Sequence, residues 1–354
     1  MSDSKKGNVK APSNFKISFS TAAVGGLYLT LLIVGLFTGL SFSVLLTDSL
    51  HLWGVWALLV LAMVPSIQAG MGPNFALPIG VICGLLAMVI IMSFDFMGLT
   101  FLIMSSLLAI VFGCLAGYLY GRLMNAVKGS EMAIAPYTGF AVVFLFSMIW
   151  LVLPIDHELM RFPLGSGVRH MLMLDNWNAN NLLANFLQFE FLGITIRTGE
   201  VLIIITACFL MWAFFRTKTG IGISAVGSNP MFAKATGINV DRSRIIATMI
   251  STSVGALGII VYANGFGFVQ LYDAPLMMAF PAVAAILVGG ATAQRSKVTN
   301  VLLGAFLFQG LMAISMPVLS NVLPTTEIIN PVRQGIQNGI ILYALTRMSA
   351  GGGK

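Results

Sequence analysis

The chain has 354 residues, 58% of them hydrophobic and only 9% charged, with a mean hydropathy of +0.93. That composition excludes a pair of soluble domains, because most of the surface must suit hydrocarbon rather than water. The formal net charge of +7 therefore belongs to membrane topology, and nucleic acid is not expected as a partner.

In chain order, residues 1–20 read as a polar, basic tail. The apolar stretch behind it is too long for the core of a signal peptide and reads as an uncleaved first span. Apolar spans are predicted near 23–46, 52–67, 75–93, 98–119, 133–153, 200–215, 245–264, 277–290, 299–319 and 331–346. This makes an all-α polytopic membrane protein of about ten transmembrane helices. Basic residues gather in the N-terminal tail and at 122–128, 216–218, 234–244, 295–297 and 347–354, all on one side of a ten-span chain. Arg161, Arg169, Arg197 and Arg333 fall on the other side or near it. Cytoplasmic loops carry the excess of Lys and Arg, so both termini are expected in the cytoplasm of a cell whose plasma membrane the chain crosses many times. The expected organisation is a tail at 1–20, a membrane domain at 21–346 and a tail at 347–354. Within the domain, 154–199 is extracellular and 216–244 is a cytoplasmic loop. The carboxylates Asp48, Asp95, Asp156, Glu158, Asp175, Glu190, Glu200, Asp273 and Glu327 are placed outside or at the outer interface, leaving none in the middle of a span.

The 154–199 stretch contains Trp177, read as an interfacial anchor with an extracellular landing surface as the alternative, and an amphipathic run from Leu182 to Leu192. Three segments have irregular backbone where hydrocarbon would demand helix: 68–74, 264–275 and 288–294. Such backbone survives at membrane depth only where protein or a wet cavity satisfies it. Broken helices of this kind hold or pass substrate in transporters, and 68–74 is read as one of them. The breaks recur in both halves of the chain, which is weak support for an internal duplication.

Chemistry is sparse. Cys83, Cys114 and Cys208 stand singly in spans as small buried hydrophobes, and His51, His157 and His170 are read as external and unclustered, so no metal site is expected. Gly351-Gly-Gly-Lys354 lacks the Ser or Thr of a phosphate loop, so the chain is not its own ATPase, and it holds no catalytic pair that would make it an enzyme. The spans do offer neutral polarity at Gln68, Asn74, Tyr137, Thr138, Gln309, Gln334, Gln337 and Asn338. Arg333 and Gln337, then Gln334 and Asn338, share one helix face at i to i+4 spacing. Hydrogen bonding between helices is expected to account for most of this set. As candidates for a translocation path we take Gln68, Gly70, Gly72, Asn74, Tyr137, Thr138, Gln309, Gln334 and Asn338, which would suit a polar, uncharged cargo.

One polar segment is punctuated as a helix of its own. In Ser224-Ala-Val-Gly-Ser-Asn-Pro-Met-Phe-Ala-Lys-Ala-Thr-Gly-Ile-Asn-Val240, Asn229 suits an N-cap, Pro230 the first turn and Gly237 the left-handed residue past the end. This run, with Lys218-Thr-Gly before it, resembles the cytoplasmic loop of ABC-importer permeases of the branched-chain amino acid and monosaccharide (ribose, galactose) type. The resemblance continues in 281–292, in Leu302-Leu-Gly-Ala305 and in Arg333-Gln-Gly-Ile-Gln-Asn-Gly-Ile340, covering 200–346 well and the N-terminal half loosely. It departs at Gly70-Met-Gly-Pro-Asn-Phe-Ala76, where sugar permeases of the family carry an Asp-Leu-Ser-Val-Gly run. It departs again at Gln294-Arg-Ser-Lys297, which replaces a Gly-rich turn.

The resemblance implies alternating access through two permease halves, either two copies or this chain with a sister permease. A solute-binding protein, extracellular or periplasmic, would deliver cargo, and a cytoplasmic ABC ATPase subunit would use ATP-Mg, so no cofactor belongs to this chain. It implies coupling to the ATPase through Gly227, Asn229, Pro230, Ala233, Lys234, Thr236 and Gly237, with Ala233 small enough for a partner to approach. A bacterial cell membrane is the implied location, with lipid around the spans. A simple sugar is the first choice of cargo, then a nucleoside, then a branched-chain amino acid; a stand-alone secondary carrier is the alternative of another class. Gly237→Val is expected to uncouple ATP hydrolysis from transport in the inserted protein, and normal ATPase stimulation by the binding protein would count against the coupling role.

Overall fold

The computed structural model describes residues 19–155, 157–162, 167–323 and 325–351. Most of the 1–20 tail, the carboxylate Asp156 and the last residues of the 347–354 tail lie outside them. The first half comprises α1 (Phe19–Phe37), α2 (Phe42–Leu61), α3 (Met63–Gln68), α4 (Leu77–Ser93), α5 (Gly98–Ala126) and α6 (Glu131–Val152). A capping region follows, with strand β1 (Met171–Met173), the one-turn α7 (Leu182–Asn185), β2 (Phe189–Phe191) and β3 (Ile194–Ile196). The second half holds α8 (Thr198–Phe214), α9 (Lys218–Ser228), α10 (Pro230–Ala235), α11 (Val240–Phe266), β4 (Phe268–Gln270), α12 (Ala274–Val288), α13 (Val298–Val322) and α14 (Thr326–Gly351).

The expected count of about ten spans is not supported. Among the described residues six helices are long and apolar enough to cross a membrane, with Phe42–Gln68 taken as one; the bent pair α8 and α9, at 77°, makes up to seven. The predicted run 23–46 is cut by the turn that separates α1 from α2. The helices α4 and α12, at 17 and 15 residues, reach only about 22–26 Å at 1.5 Å per residue, short of a hydrocarbon layer of roughly 30 Å. Helix α14 is long, but Glu327, Arg333, Gln334, Gln337 and Asn338 dilute its apolar character.

Helix α11 runs through the middle of the bundle against α2, α4 and α5. Its approach to α5 is set by Gly113, Gly117 and Gly121, one turn apart. A Cβ at these positions would lie 2.7–2.9 Å from the backbone of Ser253, Met249 and Ile245. Lipid supplies no hydrophobic drive between helices, so close backbone packing through small residues takes its place. The free Cys83 and Cys208 are buried as apolar groups, and Cys114 Sγ lies 3.3 Å from Ser253 Oγ.

Beyond the membrane helices, 154–199 is built differently from the expectation. Strand β1 pairs antiparallel with β4, tying this segment to the end of α11, and β2 with β3 forms a hairpin where an amphipathic run was expected. Trp177 is buried, and its Nε1 donates to Met92 O at 3.1 Å, so it is an internal plug and neither an interfacial anchor nor a landing surface. Tyr272 stacks on His170 and donates to Val168 O, and partial burial pushes its hydroxyl above the usual value, so it stays protonated for that bond.

Each histidine has a carboxylate beside it. His51 Nδ1 lies 3.2 Å from a Glu200 carboxylate oxygen and 2.7 Å from Arg197 Nη1, while His157 pairs with Asp95 and His170 with Asp273. Glu200, expected at the outer interface, is buried in the first turn of α8, between Gly54 of α2 and Gly265 of α11. A buried carboxylate needs such partners; Arg197 is three residues away, whereas His51, 149 positions off in sequence, arrives only on folding.

Candidate coupling helix and transport cavity

Local sequence builds the short helix α10. Asn229 Oδ1 accepts from Phe232 N at 3.0 Å, Pro230 occupies the first turn, and Gly237 sits at φ +84° past the end. Ile238 N closes back on Ala233 O at 2.9 Å. This satisfies a helix end with the one residue that adopts a left-handed backbone without cost. A Cβ added at 237 would meet no atom within 4 Å, so the cost of a β-branched Val there starts with its left-handed backbone.

The remaining residues of this group divide. Thr236 Oγ1 donates back to Ala233 O, and Lys234 edges a groove of about 460 Å³ with Gly227, Pro230, Glu131 and Arg244. Ala233 faces its own chain and is fully buried, so it is not open to an approaching surface. The large apolar side chains this helix does expose are two the sequence reading missed, Met231 and Phe232, at 84% and 63%. Nothing in the one-dimensional pattern separates them from Ala233, because a six-residue helix has no resolvable periodicity. Gly227, the next-to-last residue of α9, packs against Gln68 and Gly70.

The nine path candidates do not form one lining. Gln68, Gly70, Gly72 and Asn74 lie in and beside the break between α3 and α4, at the end of the bundle that carries α10. Gln68 donates to Ser296 O there, and Asn74 Nδ2 to Ser251 Oγ at 2.8 Å. Tyr137 and Thr138 are on α6; Tyr137 is 76% exposed, and Thr138 bonds back to Ile134 O. The other three converge. Gln334 and Asn338 of α14 wall a cavity of about 430 Å³ with Trp56, Tyr262, Gln270, Asp273, Arg333 and Gln337. Gln309, 3% exposed with an unpartnered Nε2, walls an adjoining cavity of about 270 Å³ that shares Trp56, Tyr262, Pro281, Arg333 and Gln337. Trp56 and Tyr262 meet edge-on, with centroids 5.6 Å apart at 87°. A concave site with aromatic walls and a few convergent polar groups is the usual form of a small-molecule pocket. Trp56 and Tyr262 carried no signal in sequence because an aromatic residue in an apolar span reads as core.

With this geometry in hand, the comparison with known proteins is specific. Residues 45–345 match the family described as the branched-chain amino acid transport system / permease component. The chain belongs to that family. This permease is 24% identical over 195 residues to the nucleoside ABC transporter permease protein of Lactococcus lactis subsp. cremoris, covering 52% of the chain and 49% of the relative. It is 35% identical over 126 residues to the guanosine ABC transporter permease protein of Bacillus subtilis, covering 34% and 36%. It is 32% identical over 126 residues to the xylose/arabinose import permease protein of Sulfolobus acidocaldarius, covering 35% of each. The chain thus spans about half the length of the first of these curated relatives and about a third of the other two. A multi-pass membrane permease is consistent with every helix described above.

Proposed function

We propose that this permease forms the translocation path of an ATP-driven importer, paired with a second copy or a sister permease in a bacterial cell membrane. The end of the bundle carrying α10 faces the cytoplasm and docks an ABC ATPase subunit. The end carrying 154–199 receives cargo from a solute-binding protein. The distribution of Lys and Arg supports this orientation. ATP-Mg is used by the partner, and this chain supplies the path and the contact surface.

The cargo is a small, uncharged solute with a hydroxylated ring, and a nucleoside is the form favoured here. The observation that carries this is the edge-on pair Trp56 and Tyr262, which walls two adjoining cavities, one with Gln334, Gln337 and Asn338 and the other with Gln309 and Gln337. Aromatic faces stack on a base, and side-chain amides donate to and accept from base edges and sugar hydroxyls without the cost of a charge in the membrane. The nucleoside permeases among the relatives agree with it. A free pentose is the second reading, supported by the xylose/arabinose relative.

Uptake into vesicles holding permease, ATPase and binding protein tests both points. ATP-dependent nucleoside uptake is expected, blocked by unlabelled nucleoside and not by free pentose. Trp56→Ala should lower it about tenfold, since stacking on an aromatic is worth roughly 1–3 kcal/mol. Uptake that needs no ATPase would overturn the importer reading, and competition by pentose alone would select the sugar.

A further inference from the structure

The helix α10 packs on α9 and α11, and α9 in turn on α3 and α11. The closest approach of this unit to the broken helix is made by two glycines. A Cβ on Gly227 would lie 2.8 Å from Gly70 N and well inside contact distance of Gln68 O. A Cβ on Gly70 would lie 2.9 Å from Gly227 Cα. Backbone therefore rests on backbone, with no side chain between to bend or slide. Gly70 is itself held at φ +75° by Gly70 N to Ile67 O and Met71 N to Ser66 O, so the turn is closed rather than loose.

From that turn two connections lead away. Gln68 donates to Ser296 O in the loop that opens α13, whose Phe308, Gln309 and Met312 wall the deeper cavity. Asn74 donates to Ser251 Oγ, which donates at 2.6 Å to Ala62 O, the residue between α2 and α3. Helix α2 carries Trp56 into the same cavity.

We infer that the Gly227–Gly70 contact is the joint through which motion of α10 reaches the cavity walls, with Gln68 and Asn74 as its two outputs. Gly70, Gly227 and Gln68 are positioning residues: they touch no cargo, and their work is to keep ATPase movement and cavity movement in step. Close packing makes such a contact bistable rather than compliant, so a small displacement at α10 is passed on instead of being absorbed. The inference rests on the coupling role of α10 proposed above.

The test uses the assembled transporter in vesicles, measuring cargo imported and ATP hydrolysed in the same sample. Gly227→Ala is expected to leave the assembly and its ATP hydrolysis in place and to cut cargo imported per ATP by about tenfold, within the usual range of coupling between sites. Gln68→Ala adds no atoms at the joint and is expected to cut the same ratio several-fold; if Gly227→Ala does not insert, Gln68→Ala decides alone. A purely structural role would lower import and hydrolysis together and leave the ratio at the wild-type value, and that result for Gln68→Ala would overturn the joint. Failure of the wild-type chain to import with ATP is a separate outcome, and it would remove the importer reading instead.

Discussion

Replacing Met231 and Phe232 together by Ser should abolish ATP-driven uptake and weaken binding of the ATPase subunit by at least about a hundredfold. Both side chains project from α10 into solvent while the adjacent Ala233 is buried. Fully burying such a side chain against a partner contributes roughly 1.5–3 kcal/mol, and each 1.4 kcal/mol is a factor of ten in affinity. The helix that presents them is held by the Asn229 cap and the Gly237 turn, so the pair can be exchanged without unfolding it. Titration of ATPase onto the reconstituted permease reads the affinity, and thermal unfolding in detergent should barely move. Wild-type affinity in the double variant would show that α10 is not the docking element.

Asn264→Leu is expected to cost about 2–4 kcal/mol of stability and to loosen the segment around α7. Asn264 is fully buried at the end of α11, where its Oδ1 accepts from Leu183 N at 3.1 Å and its Nδ2 donates to Ala179 O at 2.5 Å. Leucine has a similar size and no hydrogen-bonding capacity. Both backbone groups would be left without partners, and each stranded buried group costs roughly 1–3 kcal/mol. The midpoint of thermal unfolding should fall by about 5–10 °C, and protease should cut within 178–186 before it cuts the helices. An unchanged midpoint together with wild-type resistance to protease would mean that β1 with β4 and the Trp177 plug hold the cap without Asn264.

How far the sequence was legible depends on the range of the interaction. The ends of α10 could be read from Asn229, Pro230 and Gly237 because capping acts over three or four residues, and the geometry matches. The break at 68–74 was equally visible through Gly70, Gly72 and Pro73. What it touches was not visible, since Gly227 lies more than 150 positions away. The same limit hid the burial of Glu200, whose partner His51 lies far away in sequence. It explains Trp177 as well, which becomes a plug because the carbonyl of Met92 is there to accept its N–H. The count of about ten spans is left unsupported for another reason. Hydropathy measures the solvent a helix tolerates, and helices as buried as α4 and α12 are apolar whether or not they cross the membrane.

The sequence alone determined that this chain lives in a membrane, that it carries a capped polar helix between spans, and that its machinery resembles an importer permease. The first two follow from composition and from contacts a few residues apart, and the third from motifs shared with a known family. Only the tertiary structure decided which side chains of that helix are exposed, where the broken helix rests, and that Gln309, Gln334 and Asn338 wall two adjoining cavities that share Trp56 and Tyr262 while Tyr137 walls neither. A helix face has no direction until its neighbours are packed against it. In this chain those neighbours come from both halves of the sequence, and what brings them together is the glycine seam between α5 and α11.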